Sequence, residues 1–247
     1  MSTKAEFFAR IRDQMRKTRG LFAASVATRP EHPALQADTI RRELAERWPE
    51  TLEKFRREFE RVGGVFYRVA SVDDVPSVVG GIAREREARE LVSWHSGVLG
   101  ADLSHALEVG GLDVHEMPAA EAEDAASRER LRAIAARADL GLTGVDLAVA
   151  ETGTLILMSG VGRPRSTSLL PPYHVAVFDR TALVESLHQV GVFLEAWHGD
   201  GAPPGTGAVI NFITGPSRTA DIELTLTRGV HGPREVHAIF VEGGIRG

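Results

Sequence analysis

From Thr51 onward, short runs rich in branched and aromatic residues alternate with stretches of helical spacing, and this order constrains the fold more than any other feature of the chain. Strand composition marks Val65 to Ala70, Leu91 to Trp94, Leu112 to Met117, Val145 to Ala150, Leu155 to Met158, His174 to Phe178, Ala208 to Ile213 and Val236 to Val241. Helices are predicted from Asp73 or Asp74, as the cap, through Arg89, then over Leu99 to Val109, Ala119 to Ala138 and Thr181 to Trp197. Strands joined through helices run parallel and need cover on both sides, so the expected class is α/β, a mainly parallel sheet with helices on both faces. Ile222, Leu224 and Leu226 fit strand alternation, but the four-residue step from Ile222 to Leu226 and the stop at Gly229 fit a short helix, which is the expectation here.

The first fifty residues read differently. Phe7, Phe8, Ile11 and Met15 recur at helical spacing among charges, and Pro30, Pro33 and Pro49 punctuate a segment whose one periodic stretch is a short helix from Ala37 to Trp48. A second helix from Leu52 to Val62 ends at Gly63-Gly64. The chain therefore divides into a helical N-terminal arm, residues 1–50, and an α/β domain, residues 51–247.

Composition removes several function classes. A formal charge of −5 gives no reason to expect nucleic acid, and no apolar run approaches the roughly 20 residues that span a bilayer. The opening MSTKAEFFARIRDQ lacks the continuous apolar core of a signal peptide, so the expected location is cytoplasmic. The chain has no cysteine, which excludes disulfides, a thiol nucleophile and thiolate-held clusters within it. Its histidines lack the close paired spacing of a zinc site, so no metal is expected.

Polar chemistry concentrates in a few turns. Glu151-Thr152-Gly153-Thr154 follows an apolar strand: the carboxylate is either a nucleophile or base at a strand end, or a device that satisfies turn amides, and Thr152, Gly153 and Thr154 are candidate ligand contacts. The loop Arg163-Pro164-Arg165-Ser166-Thr167-Ser168 leads towards His174; Arg165 and Ser168 are candidates to grip a carboxylate or phosphate, and His174 is either a base or a satisfied structural imidazole. Gly215-Pro216-Ser217-Arg218-Thr219 reads as the opening of a helix whose amides could hold an anion, with Gly215, Ser217, Arg218 and Thr219 as contacts. Gly229-Val230-His231-Gly232-Pro233 is a tight turn or a backbone-lined pocket.

Taken as an ordered set, VDLAVAETGTLIL, SLLPPYHVAVF and FITGPSRTADIELTLTRGVHGP resemble the LUD domain of the lactate utilisation protein C family, most clearly between Ala138 and Val241. The resemblance implies a fold like that of the NagB/RpiA/CoA-transferase-like superfamily of glucosamine-phosphate isomerases, ribose-phosphate isomerases and CoA transferases. It also implies a place in a three-protein system that oxidises L-lactate to pyruvate, with iron–sulfur clusters carried by partner proteins of the A and B types. A chain without cysteine is not the cluster-bearing B type. The expected role is an accessory subunit that binds a small anionic ligand and holds no cofactor of its own. The alternative is a CoA-transferase-like or sugar-phosphate-isomerase-like enzyme using Glu151 as nucleophile or base, with His174 as a second base.

Overall fold

The α/β alternation is present in the computed structural model, which describes residues 6, 10, 11, 13, 30–120, 124–198, 202–203, 206–220 and 226–245. The helix expected around Phe7, Phe8 and Met15 lies outside the described residues. Chain order is α1 (Pro33–Arg61), β1 (Val65–Val69), α2 (Val75–Glu85), β2 (Glu90–Ser93), α3 (Ser96–Leu99), α4 (Ser104–Val109), β3 (Asp113–Glu116), α5 (Ala125–Arg137), β4 (Leu140–Gly144), β5 (Leu147–Val149), β6 (Thr154–Gly160), α6 (Ser166–Leu169), β7 (Tyr173–Asp179), β8 (Leu183–Val184), α7 (Leu187–Ala196), β9 (Thr206–Ile213), β10 (Arg218–Ala220), β11 (Leu226–Arg228) and β12 (Glu235–Val241).

Six strands form a parallel sheet in the order β1-β12-β7-β4-β2-β3. Because side chains alternate across a strand, its two faces build two cores. On one face Ala176, Phe178, Ala238 and Phe240 meet Leu52, Phe55 and Phe59 of α1, together with Ala148, Leu155 and Leu157 from a second sheet. On the other, Val175, Val177, Ile239 and Val241 meet Val75, Val79 and Ile82 of α2 and Leu107 of α4. Helix α5 lays Ala135 over Val92 of β2.

Helix α1 runs unbroken through Pro49, so the two helices expected around residue 50 are one. Its buried positions Ala37, Leu44, Leu52, Phe55 and Phe59 form a stripe along the sheets, and that packing outweighs the local cost of an interior proline. Other boundaries move for local reasons. Asp74 does stand at the cap position of α2, as expected, but its carboxylate turns back to accept from Ser71 N–H, while the Ser71 hydroxyl accepts from Asp73 N–H, so the side-chain cap belongs to the short 3-10 turn Val72–Asp74 that leads into the helix. The helix expected from Leu99 to Val109 forms only over Ser104–Val109 as α4, because Leu99 ends the preceding α3, which Gly100 closes at φ 88°. Helix α5 starts only after Asp124, whose carboxylate accepts from Ser127 N–H.

Four strands belong to a second sheet, β8-β5-β6-β9. Strands β5 and β6 form an antiparallel hairpin, and β9 runs antiparallel to β6. The expectation that the strands bearing Ala150 and Ile213 lie in the parallel layer is therefore corrected. The Ala150–Gly153 connection is far too short for a parallel crossover, which needs a dozen or more residues. The helix expected near Ile222 to Gly229 is also corrected: Arg218–Ala220 pairs antiparallel with Leu226–Arg228. Strand β4 went unread in the sequence because Leu-Gly-Leu-Thr-Gly lacks strand composition. Gly141 is required there, since a Cβ would sit 1.8 Å from the Thr167 carbonyl oxygen.

Candidate functional site

The Glu151–Thr154 turn and the Gly215–Thr219 turn, singled out separately as candidate sites, meet at the end of α1. Thr154 Oγ1 lies 2.7 Å from Thr152 Oγ1 and 2.8 Å from Thr214 Oγ1, joining the two turns by hydroxyls. Gly153, at φ 63°, lies so close to α1 that a Cβ would come within 2.4 Å of Phe59 N, and one on Gly215 would reach 2.6 Å from the Val62 carbonyl. The Arg218 guanidinium donates to that same Val62 carbonyl. A helix ends in unsatisfied carbonyls and the negative end of its dipole, so Arg218 acts there as a C-terminal cap. Arg218 begins a strand, and the helix N-terminus expected to hold an anion at this turn is absent. Ser217 donates its N–H to the Pro233 carbonyl and accepts from Gly229 N–H, closing the turn against the Gly229–Pro233 loop. The side chain of Thr219 lies outside the described residues.

Glu151 is exposed, and its Oε2 accepts from Leu187 N–H at 3.0 Å, where α7 begins. A carboxylate suits that position because the first helical amides are unsatisfied and carry partial positive charge. His174 is wholly buried: Nε2 lies 2.8 Å from Thr143 Oγ1, while Nδ1 has no partner among the described residues. Burial, with the neighbouring His237 adding to it, pushes its imidazole down to about 3. Among the described residues no three His, Asp or Glu side chains group as a metal site.

Arg165 stands elsewhere, on the rim of a cleft of about 880 Å³. Four pieces of chain build this cleft: Met117 and Pro118 just past the carboxyl end of β3, the segment from Gly160 to Ser166 between β6 and α6, the Arg128, Leu131 and Arg132 face of α5, and Thr206 and Gly207 at the start of β9. Residues 128, 131 and 132 share one side of a helix by their spacing, and that side continues into the buried Ala135. Leu169 and Leu170 add apolar surface opposite. Ser168, expected as a ligand contact, is buried beneath the rim with its hydroxyl on the Arg165 carbonyl at 3.1 Å.

The loop at the cleft is fastened from behind. Buried Arg163 pairs with Asp146, donates to the Met158 carbonyl and stacks on Trp94 at 4.7 Å from the ring centre. Trp94 Nε1 donates to the Pro164 carbonyl at 3.3 Å, and His95 N–H donates to the Gly162 carbonyl at 2.8 Å. These contacts tie the loop to the end of β2, so the cleft lies beside carboxyl ends of the parallel strands, where open α/β sheets collect ligands. Sequence reading missed Arg128 and Arg132, which were two charges in a charged helix. Their spacing with Leu131 was the available signal, but only the fold brings Arg165 to the same cleft.

A family model described as the LUD domain matches residues 52–241. The chain belongs to the LUD domain family. It is 36% identical over 173 residues to a lactate utilization protein C from Halalkalibacterium halodurans, covering 69% of this chain and 70% of that protein. A second, from Oceanobacillus iheyensis, is 28% identical over 230 residues, 92% of this chain and 91% of the relative. A crystal structure of a DUF162 family protein from Deinococcus radiodurans, 23% identical, superimposes with a TM-score of 0.52 over 78% of this chain and 97% of that one, a likeness of fold. The matched LUD region contains every residue that lines the cleft up to Gly207, as well as both turns on α1.

Proposed function

We infer that this LUD protein serves lactate utilisation as an accessory subunit, binding an anionic ligand in the arginine-rimmed cleft while iron–sulfur partners of the A and B types carry the electrons from L-lactate. The relatives named lactate utilization protein C support the process, and the chain's lack of cysteine supports the division of labour. The observation that carries the binding role is the cleft itself, in which Arg128, Arg132 and Arg165 surround apolar surface and no acidic side chain is among the described lining residues.

The alternative in which Glu151 attacks an acyl thioester or abstracts a sugar-phosphate proton has no observation in its favour. Its carboxylate already accepts the first amide of α7, and the Arg218 guanidinium beside the paired turns is engaged by α1. No helix among the described residues is long and apolar enough to cross a membrane, which is compatible with a subunit working beside soluble partners.

Reconstitution tests the reading. Partner proteins purified with and without this chain are assayed for L-lactate oxidation and run together on a sizing column. Co-elution and a rate that depends on the chain are expected. Full activity without it, with no co-elution at any ratio, sinks the accessory role.

A further inference from the structure

We propose that the cleft takes a nucleoside diphosphate group, free or as the end of a larger cofactor, and not the small hydroxy acid of the pathway. This deepens the anion-binding reading above and rests on it. Two properties of the cleft lead there. The first is size: about 880 Å³ lies in the range of about 300–1,000 Å³ typical of sites for cofactor-sized ligands, and a three-carbon acid would leave most of it to water.

The second is the division of its walls. Arg128 and Arg132 stand one helical turn apart on α5, and Arg165 stands on the separate loop before α6. No ion pair engages Arg128 or Arg165 among the described residues, and Arg132 has only Glu129, at 3.3 Å with both side chains about 70% exposed, a solvated pair of little strength. A single carboxylate neutralises one guanidinium; a diphosphate presents enough oxygens and charge for several, and planar guanidinium forks suit phosphate geometry.

Between these charges the surface is apolar. Leu131, Leu169, Leu170 and Pro164 line it, and Leu170 remains 44% exposed. Purely inorganic anions have no use for such a surface, whereas the flat face of a base covers it. The rigid backing of the loop, through Arg163, Asp146 and Trp94, holds Arg165 in place before a ligand arrives and lowers the ordering cost of binding.

The test is calorimetric titration of the full chain with ADP, coenzyme A, pyrophosphate and L-lactate. Saturable binding of ADP or coenzyme A is expected, with pyrophosphate at least about tenfold weaker because it leaves the apolar surface bare. Replacing both Arg128 and Arg165 by Ala removes charge-assisted hydrogen bonds and should weaken nucleotide binding by at least about tenfold. Leu170→Asn, polar but uncharged, should weaken ADP and leave pyrophosphate the less affected ligand. These side chains are exposed, so unchanged thermal melts certify the variants.

Coenzyme A binding more tightly than ADP identifies the larger cofactor, and equal affinities identify the free nucleotide. Pyrophosphate equal to ADP, or L-lactate binding that alone disappears in Arg165→Ala, overturns the nucleotide proposal and leaves the anion reading standing. Nucleotide binding indifferent to both arginines overturns the site. No binding by any of the four overturns both readings.

Discussion

The Arg163 guanidinium meets the Asp146 carboxylate where their side chains are only 4% and 8% exposed, and this contact ties the cleft loop to the link between the two sheets. Asp146 also accepts from Met158 N–H at 2.7 Å, and the Trp94 ring covers the guanidinium. The pair thus has the extra hydrogen bonds that a buried ion pair needs to offset its desolvation.

Removing one partner leaves the other charged and unpaired. Arg163→Met should cost about 3–5 kcal/mol of stability, and adding Asp146→Asn should recover part of it, because the amide oxygen can still accept from Met158. Urea denaturation reads both. A loss below about 1 kcal/mol for Arg163→Met would mean that water reaches the carboxylate.

The buried His174 gives a pH dependence whose sign follows from its burial. Its imidazole is held down to about 3, against 6.5 for the ordinary group, so the unfolded chain takes up a proton that the folded protein refuses. The stabilisation is complete above about 6.5 and is lost as pH falls towards 3, with a slope near 1.4 kcal/mol per pH unit in that window. His237, also lowered chiefly by burial, adds a slope of the same sign. His174→Gln should flatten the curve by about one proton, measured as urea stability against pH. Identical slopes in the two proteins would refute this.

Two glycines should respond oppositely to alanine. At Gly141 the added carbon meets the Thr167 carbonyl at 1.8 Å, so either β4 or α6 must move; the variant should lose more than about 2 kcal/mol and the cleft geometry with it. At Gly191 in α7 an added Cβ would meet nothing within 4 Å, and alanine there should add about 0.5–1 kcal/mol through helix propensity. Thermal melts of the two variants decide it, and equal shifts of the same sign would contradict the packing described.

Glu151→Gln separates helix capping from catalysis. The amide keeps an acceptor for Leu187 N–H, so stability should fall by at most about 1 kcal/mol. Lactate oxidation by the reconstituted system should stay within about twofold, whereas loss of a nucleophile costs orders of magnitude. A large fall in rate at unchanged stability would restore Glu151 as a reacting group.

Most of the parallel layer was legible from its central strands: β7 and β12 are buried along almost their whole length, and each carries a core of branched and aromatic residues. Strand β4 was not legible, because its glycine answers to the Thr167 backbone and not to strand propensity. The second sheet was half legible. The four-residue link between β5 and β6 already excluded a parallel crossover, but the sheet membership of β9 depends on a partner more than fifty residues away in sequence. The Glu151 and Arg218 turns were recognised as special and do meet, yet the reason is the carbonyl end of α1, which no local pattern places between them.

By itself the amino-acid order determined the α/β class, the family likeness, the absence of thiol chemistry and the turns where glycine and hydroxyl residues gather. Each of these follows from local periodicity or from composition. Tertiary structure alone decided that Arg218 is used up on Val62, that Glu151 caps α7, and that Arg165 lines the same cleft as Arg128 and Arg132. Whether a charge is free or satisfied depends on what lies within a few ångströms, and those neighbours come from distant parts of the chain.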